Sequence, residues 1–147
     1  MTLQERLAHE TTAAQKAGDA GRLGTLRLLI AAAQNRAIEK RTGGSPTSLS
    51  DDDMLELLRR EAKKRREAME LYAQGGRDDL RVKEEAELAV IMEYLPAEMG
   101  RADITAVVKR LATGSSEFSS LMKAAMAELK GKADGKLVSE VVKEVLS

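Results

Sequence analysis

The chain has 147 residues, 24 of them basic and 24 acidic, so it carries no net charge and no unspecific attraction to nucleic acid or to a membrane surface. It has no cysteine and a single histidine, His9, which excludes disulfides, thiolate metal sites and a cysteine nucleophile. Apolar residues make up 43% of it, drawn from Leu, Ala, Val, Ile and Met with only Tyr72, Tyr94 and Phe118 as aromatics, and no stretch approaches the roughly 18 apolar residues of a membrane span.

The first residues, Met-Thr-Leu-Gln-Glu-Arg, lack the apolar run of a secretory leader, so the expected location is the cytoplasm. Periodicity then predicts an all-α fold, with Gly and Pro marking the breaks. A first helix covers about residues 2–17 with Leu3, Leu7 and Ala14 on one face. Gly18 is placed to end it in a left-handed turn, and Asp19 to cap the next helix. That second helix runs to about Arg41 along a stripe of Leu23, Leu26, Ile30, Ala33 and Ala37.

Thr42-Gly43-Gly44-Ser45-Pro46 reads as a loop. Ser50-Asp51-Asp52-Asp53 then opens a third helix, with Ser50 as the cap, Asp53 at the capping-box position and three carboxylates at the positive end of the helix dipole. It continues to about Gln74, where Gly75-Gly76 ends it, and Asp78 is placed to cap a fourth helix reaching Tyr94. Helices three and four are predicted to form a long antiparallel hairpin.

Tyr94-Leu95-Pro96 is the predicted boundary, because Pro96 disfavours helical geometry at Leu95 and removes a backbone donor. Residues 1–95 form an N-terminal four-helix domain holding 16 basic and 17 acidic residues; residues 96–147 hold 8 and 7. The second part divides into helices at about 101–113, 117–129 and 135–146, separated by Gly114-Ser115-Ser116 and Gly131-Lys132-Ala133-Asp134. Their apolar positions, Ile104, Val108, Phe118, Leu121, Leu129, Val138 and Val141 among them, predict a small three-helix bundle near the lower size limit for independent stability.

No constellation reads as a self-sufficient active site, and no cofactor or metal is implied. His9 beside Glu10 is accompanied by no cysteine, no second histidine and no nucleophile-elbow motif, so a solvated helix position is the simpler reading. Arg59, Lys63 and Arg66 share a helical face that could track a phosphate backbone. The same segment also reads as a salt-bridged solvent face, through Glu56 to Arg60, Lys63 to Glu67 and Arg66 to Glu70. Arg65 falls inside the apolar stripe of Met54, Leu58, Ala62, Met69 and Tyr72. Glu84 interrupts that of Leu80, Leu88, Ile91 and Leu95, so Arg65 is expected to meet Glu84 or Glu87 across the hairpin and fix its register. Three aromatics are too few for a base-stacking platform, and Phe118 is expected in the core. No glycine-rich phosphate loop is present.

Lys130-Gly131-Lys132-Ala133-Asp134-Gly135-Lys136 crowds three lysines onto one turn, with Gly131 ending a helix and Asp134 placed to cap the next. The segment from Met126 to Val138 resembles the end of the GatB subunit of the Asp/Glu-tRNA amidotransferase, in which Asn-Pro usually stands where this chain has Asp134-Gly135. The Asp-Gly form resembles the stand-alone YqeY-like, or GatB/YqeY-domain, proteins. Lys16-Ala17-Gly18-Asp19, Thr25-Leu26-Arg27-Leu28-Leu29, Lys63 to Glu67, Gly76-Arg77 with Asp79-Leu80, Lys83 to Leu88 and Tyr94-Leu95-Pro96 extend the likeness over essentially the whole chain.

The resemblance implies a helical N-terminal domain, a small C-terminal bundle and a link to tRNA amidation. It makes Lys130, Gly131, Lys132, Gly135 and Lys136 candidate RNA contacts, with Arg59, Lys63 and Arg66 as a secondary patch. The implied partners are tRNA, an amidotransferase-like protein or another protein, with no role for membrane or DNA. Two other readings stand beside a tRNA-binding accessory module. One is a component of a carbon–nitrogen ligase with glutamine as amido-N-donor, active only with further protein components. The other is a protein-binding helical adaptor.

Overall fold

In the computed structural model, residues 1–41, 44, 48–114 and 117–147 are described. The predicted loop at 42–46 and the connection at 114–116 therefore lie, apart from Gly44 and Gly114, outside the described residues. The chain is all-α. Seven helices occur among the described residues: α1 (Leu3–Ala17), α2 (Ala20–Glu39), α3 (Asp51–Gln74), α4 (Asp78–Met92), α5 (Arg101–Ala112), α6 (Phe118–Leu129) and α7 (Gly135–Leu146). They fall into two compact units, Met1–Leu95 and Pro96–Ser147.

Local chemistry sets most of the helix ends. Gly18 adopts φ 71°, and the Gly18 and Asp19 N–H groups donate to the carbonyls of Gln15 and Ala14, closing α1. Asp19 then accepts from the Arg22 N–H, so one residue finishes α1 and caps α2. At α3 the capping box is complete: the Ser50 hydroxyl accepts from the Asp53 N–H at 3.1 Å, and the Asp53 carboxylate accepts from the Ser50 N–H at 3.2 Å. Gly76 at φ 70° lets Arg77 N–H reach back to the Tyr72 carbonyl at 2.8 Å, which ends α3 without strain.

Two predicted caps behave differently. Asp78 lies inside the first turn of α4, and the cap position is held by Arg77 with no side-chain hydrogen bond. The turn that closes α3 draws Arg77 into place and carries Asp78 past the cap. Asp134 does occupy the cap position of α7, but its side chain makes no capping hydrogen bond. Helix α4 also stops at Met92, two residues short of Tyr94.

In the first unit, Leu7, Leu26, Leu29, Met54, Leu58, Ala62 and Ile91 are fully enclosed, with Leu3, Leu23, Ile30 and Leu88 packed around them. Burying each large apolar side chain contributes roughly 1.5–3 kcal/mol, and several such residues together hold four helices on one core. The α3 and α4 pair makes the most extensive of these contacts, and α1 packs chiefly on α2.

In the second unit each of α5, α6 and α7 packs against the other two around Ile104, Val108, Leu121, Ala125, Leu129, Val138, Val141 and Val142. Arg101 on α5 reaches Glu140 and Glu144 on α7 at 3.0 and 2.7 Å, and Arg110 on α5 pairs with Glu128 on α6. Phe118 is not in this core: it is 39% exposed. It is the first residue of α6, and side chains on a helix lean toward the N-terminus, away from the helix's own following turns.

Candidate nucleic-acid interface

The lysine turn is built on a buried base. Leu129 ends α6 inside the core, and its carbonyl accepts from the N–H groups of both Lys132 (2.9 Å) and Ala133 (3.1 Å). Gly131 bridges this doubled bond at φ 79°, a left-handed conformation that a β-carbon would oppose. Ala133 is buried with Leu129, while Lys130 is exposed on one side of Gly131 and Lys132 exposed on the other. A strap from the start of the unit adds a second anchor, because Met99 N–H donates to the Lys132 carbonyl at 2.9 Å.

Gly135 opens α7 against Met126, whose terminal methyl would lie 3.8 Å from a β-carbon at that position. Lys136 follows and is exposed, and α7 has no acidic residue in its first turn. Among the described residues, Lys130, Lys132 and Lys136 form no ion pair. Lys130 and Lys132 thus lie on the turn held by the core and Lys136 in the first turn of α7, with exposed Asp134 as the acidic residue between them. The dipole of α7 adds positive potential at the same end.

The secondary patch is divided. Lys63 and Arg66 are exposed on α3, whereas Arg59 is half-buried. Arg66 leans on α4, its Nη2 lying 3.4 Å from the Met92 sulfur. Glu56 pairs with Arg60 at 2.8 Å, but among the described residues neither Lys63 with Glu67 nor Arg66 with Glu70 forms an ion pair. A cleft of about 250 Å³ between α2 and α3 is lined by Arg36, Asp53, Glu56, Arg60, Glu61 and Lys64. Its charges engage one another or neighbours, as in Arg36 with Glu39 and Lys40 with Asp53.

Arg65 lies at the α3–α4 seam and is 9% exposed. Its Nη1 meets Glu61 at 2.7 Å, and its Nε meets Glu87 at 3.4 Å. The Nε–Glu87 contact is an ion pair without hydrogen-bond geometry, since the enclosed Nε has no hydrogen-bond partner. Glu84 is half-buried and, among the described residues, forms no ion pair with Arg65. Glu61, four residues before Arg65 on the same helix, is the partner missed by looking only toward α4, and the i, i+4 spacing is the signal that identifies it.

A second polar cluster has no signature in the sequence. The Tyr94 hydroxyl donates to Glu10, and the Arg22 Nη2 donates to the Tyr94 oxygen at 3.0 Å. Arg22 also pairs with Glu93, and with Glu10 at 3.6 Å. Arg6 stacks its guanidinium 4.7 Å from the centre of the Tyr94 ring. Burial, and then the hydrogen bond to Glu10, push the Tyr94 phenol well above the usual tyrosine range, and the hydrogen bond to Glu93 raises Arg22 further. His9 is exposed beside this cluster and takes no part in it. These groups neutralise one another and tie the end of α4 to α1 and α2, which is a structural role.

Among the described residues no helix is long and apolar enough to cross a membrane. No curated protein matches the chain as a relative. A family model described as "Yqey-like protein" matches residues 4–146, which spans both units and includes the lysine turn. Over nearly its whole length, therefore, the chain belongs to the YqeY-like family.

Proposed function

We propose that this protein is a non-catalytic accessory module that binds tRNA through the turn Lys130–Lys136. The observation that carries the reading is the turn itself: three exposed lysines without ion-pair partners among the described residues, on a backbone fastened at Leu129, Ala133 and Met99. A turn fixed in this way presents its charges to phosphate without first having to be ordered. The likeness of this segment to the end of the amidotransferase GatB subunit favours tRNA among phosphate ligands. The same reading takes α3 and α4 as an antiparallel hairpin, supported by the short connection Gly75–Arg77 between them and by the pairing of Arg65 with Glu87. It takes residues 96–147 as a self-folding three-helix domain and the cytoplasm as the place of action.

Binding by three lysines is weak and salt-sensitive. At about 0.7–0.9 counterions per phosphate, log K falls with log salt at a slope of about −2 to −3. The test is a filter or gel assay with tRNA across a salt series, comparing wild type with the combined Lys130→Gln, Lys132→Gln and Lys136→Gln variant. Loss of affinity with a flattened slope supports the turn as the contact. Unchanged binding moves the contact to Lys63, Arg66 and Arg59, and no binding by the wild type at low salt leaves the protein-adaptor reading. Ammonia release from glutamine in the presence of ATP and mischarged tRNA, by the purified chain alone, would instead support the carbon–nitrogen ligase reading.

A further inference from the structure

We propose that the outer face of α2 is a self-association surface, on which a second copy of this chain docks antiparallel about a two-fold axis. Helix α2 buries Leu26, Leu29, Ala33 and Ala37. On its opposite side Gly21, Gly24, Leu28, Ala31, Asn35 and Ile38 are all exposed, and they follow one another at spacings of three, four, three, four and three. Intervals that alternate in this way are those of the seam between two paired helices. The six positions carry no charge in a chain that is 33% charged, and Leu28 and Ile38 among them are large apolar side chains, 51% and 45% exposed. A face that met only water would have no reason to exclude Lys, Arg, Asp and Glu over about five turns.

The sizes along the seam identify the occupant. When two copies of α2 run antiparallel with Leu28 opposite Ala31 of the second copy, Gly21 falls opposite Ile38 and Gly24 opposite Asn35. Every larger side chain then enters the space left by a smaller one, and each contact occurs twice by symmetry. A parallel pair would instead set each residue against itself, crowding Leu28 on Leu28 and Ile38 on Ile38 and leaving gaps between the glycines. The flanks favour the same register. It brings Arg27 beside Gln34 of the second copy, whose amide oxygen can accept from the guanidinium, and Glu39 near the start of the second α2, the positive end of its dipole. These flanks oppose no like charges. One helix about 30 Å long laid on another stays below the roughly 1,200 Å² of stable specific interfaces. The dimer is therefore weak, forming at high protein concentration and separating on dilution.

The experiment is sedimentation velocity of the full chain over a concentration series reaching the millimolar range, joined to disulfide mapping. Wild type should shift from monomer toward dimer as concentration rises. Leu28→Glu should stay monomeric, whereas Leu71→Glu, which removes the 67% exposed leucine of α3, should associate as wild type does. Both changes fall at exposed helix positions and Glu is a good helix former, so circular dichroism should show an intact fold. The register is read separately, because the chain has no cysteine and any disulfide reports only introduced residues. An equal mixture of Gly24→Cys and Asn35→Cys chains should give the mixed disulfide on mild oxidation. In an antiparallel pair the two copies of either cysteine alone stand roughly 16 Å apart along the axis, too far to bridge. A wild type that remains monomeric throughout, association that survives Leu28→Glu or is lost equally in Leu71→Glu, or disulfides formed mainly between like chains would each overturn the proposal.

Discussion

Tyr94 donates its hydroxyl proton to the carboxylate of Glu10, a residue 84 positions earlier in the chain, and so joins the end of α4 to α1. Arg22 on α2 donates to the same phenol oxygen, which gathers three helices at one hydrogen-bonded point. The bond lies at the last turn before Pro96, where the first compact unit ends.

Replacing Tyr94 by Phe keeps the buried ring and removes both the bond to Glu10 and the one from Arg22, at a cost of about 1.5–3 kcal/mol. The pH dependence carries a sharper signature. The folded phenol has its pKa raised, by burial first and by Glu10 second, so its contribution is fully present below the unfolded phenol's pKa of about 10 and is lost as pH rises beyond it. Urea unfolding at neutral and alkaline pH should show wild type losing stability above that point more steeply than Tyr94→Phe. Parallel alkaline limbs would mean that the phenol is not protected by the fold.

The Arg65 cluster predicts a contrast between neighbours in the sequence. Arg65→Ala leaves Glu61 and Glu87 facing each other at a packed seam, and breaking a buried pair costs about 3–5 kcal/mol. Arg66→Ala removes an exposed guanidinium and should cost about 0–1 kcal/mol. Arg65→Met should recover part of the loss, because it fills the seam with apolar volume. Equal urea midpoints for the two alanine variants would show that the seam hydrates Arg65 freely.

Asp53 links the start of α3 to the end of α2 through Lys40 at 2.7 Å, while also accepting from the Ser50 N–H. These bonds, Lys40 first, hold its carboxyl below the usual carboxylate range. The folded pKa is depressed, so the contribution is present above the unfolded value of about 3.9 and is lost as pH falls through the folded pKa. Asp53→Asn keeps an acceptor for the Ser50 N–H but no longer titrates, so its acid limb should be flatter than that of wild type in thermal melts. Ser50→Ala should lower stability by about 1 kcal/mol at every pH, since a cap hydroxyl does not titrate in this range.

If the two compact units fold independently, limited proteolysis should cut near residues 96–101, or in the segment 42–49 between α2 and α3. A fragment of residues 96–147 should then retain its helical circular dichroism and a cooperative melt, because its core and the Arg101 and Arg110 ion pairs are all internal to it. First cleavage within α3 or α4, or a fragment without helix, would contradict the two-unit architecture.

What the sequence determined by itself is the set of features whose partners lie within one helical turn. Gly18 ends α1 and Asp19 caps α2. Ser50 and Asp53 close a capping box, and Gly131 turns the chain after α6. The candidate lysine turn was legible for the same reason, since its residues adjoin one another. Each of these depends on spacings of three or four residues, which any folded or partly folded chain would satisfy in the same way. Tertiary structure decided the rest. Which acidic side chain would reach Tyr94 could not be read from spacing, because Glu10 becomes its neighbour only when α1 and the end of α4 pack on one core. Phe118, apolar enough for burial, is left exposed at the first position of α6. Arg65 took Glu61 and Glu87 but not Glu84, a choice made by the rotation of α4 against α3. Periodicity defines the face a helix buries; the rotation that brings two faces together is settled only when the whole core closes.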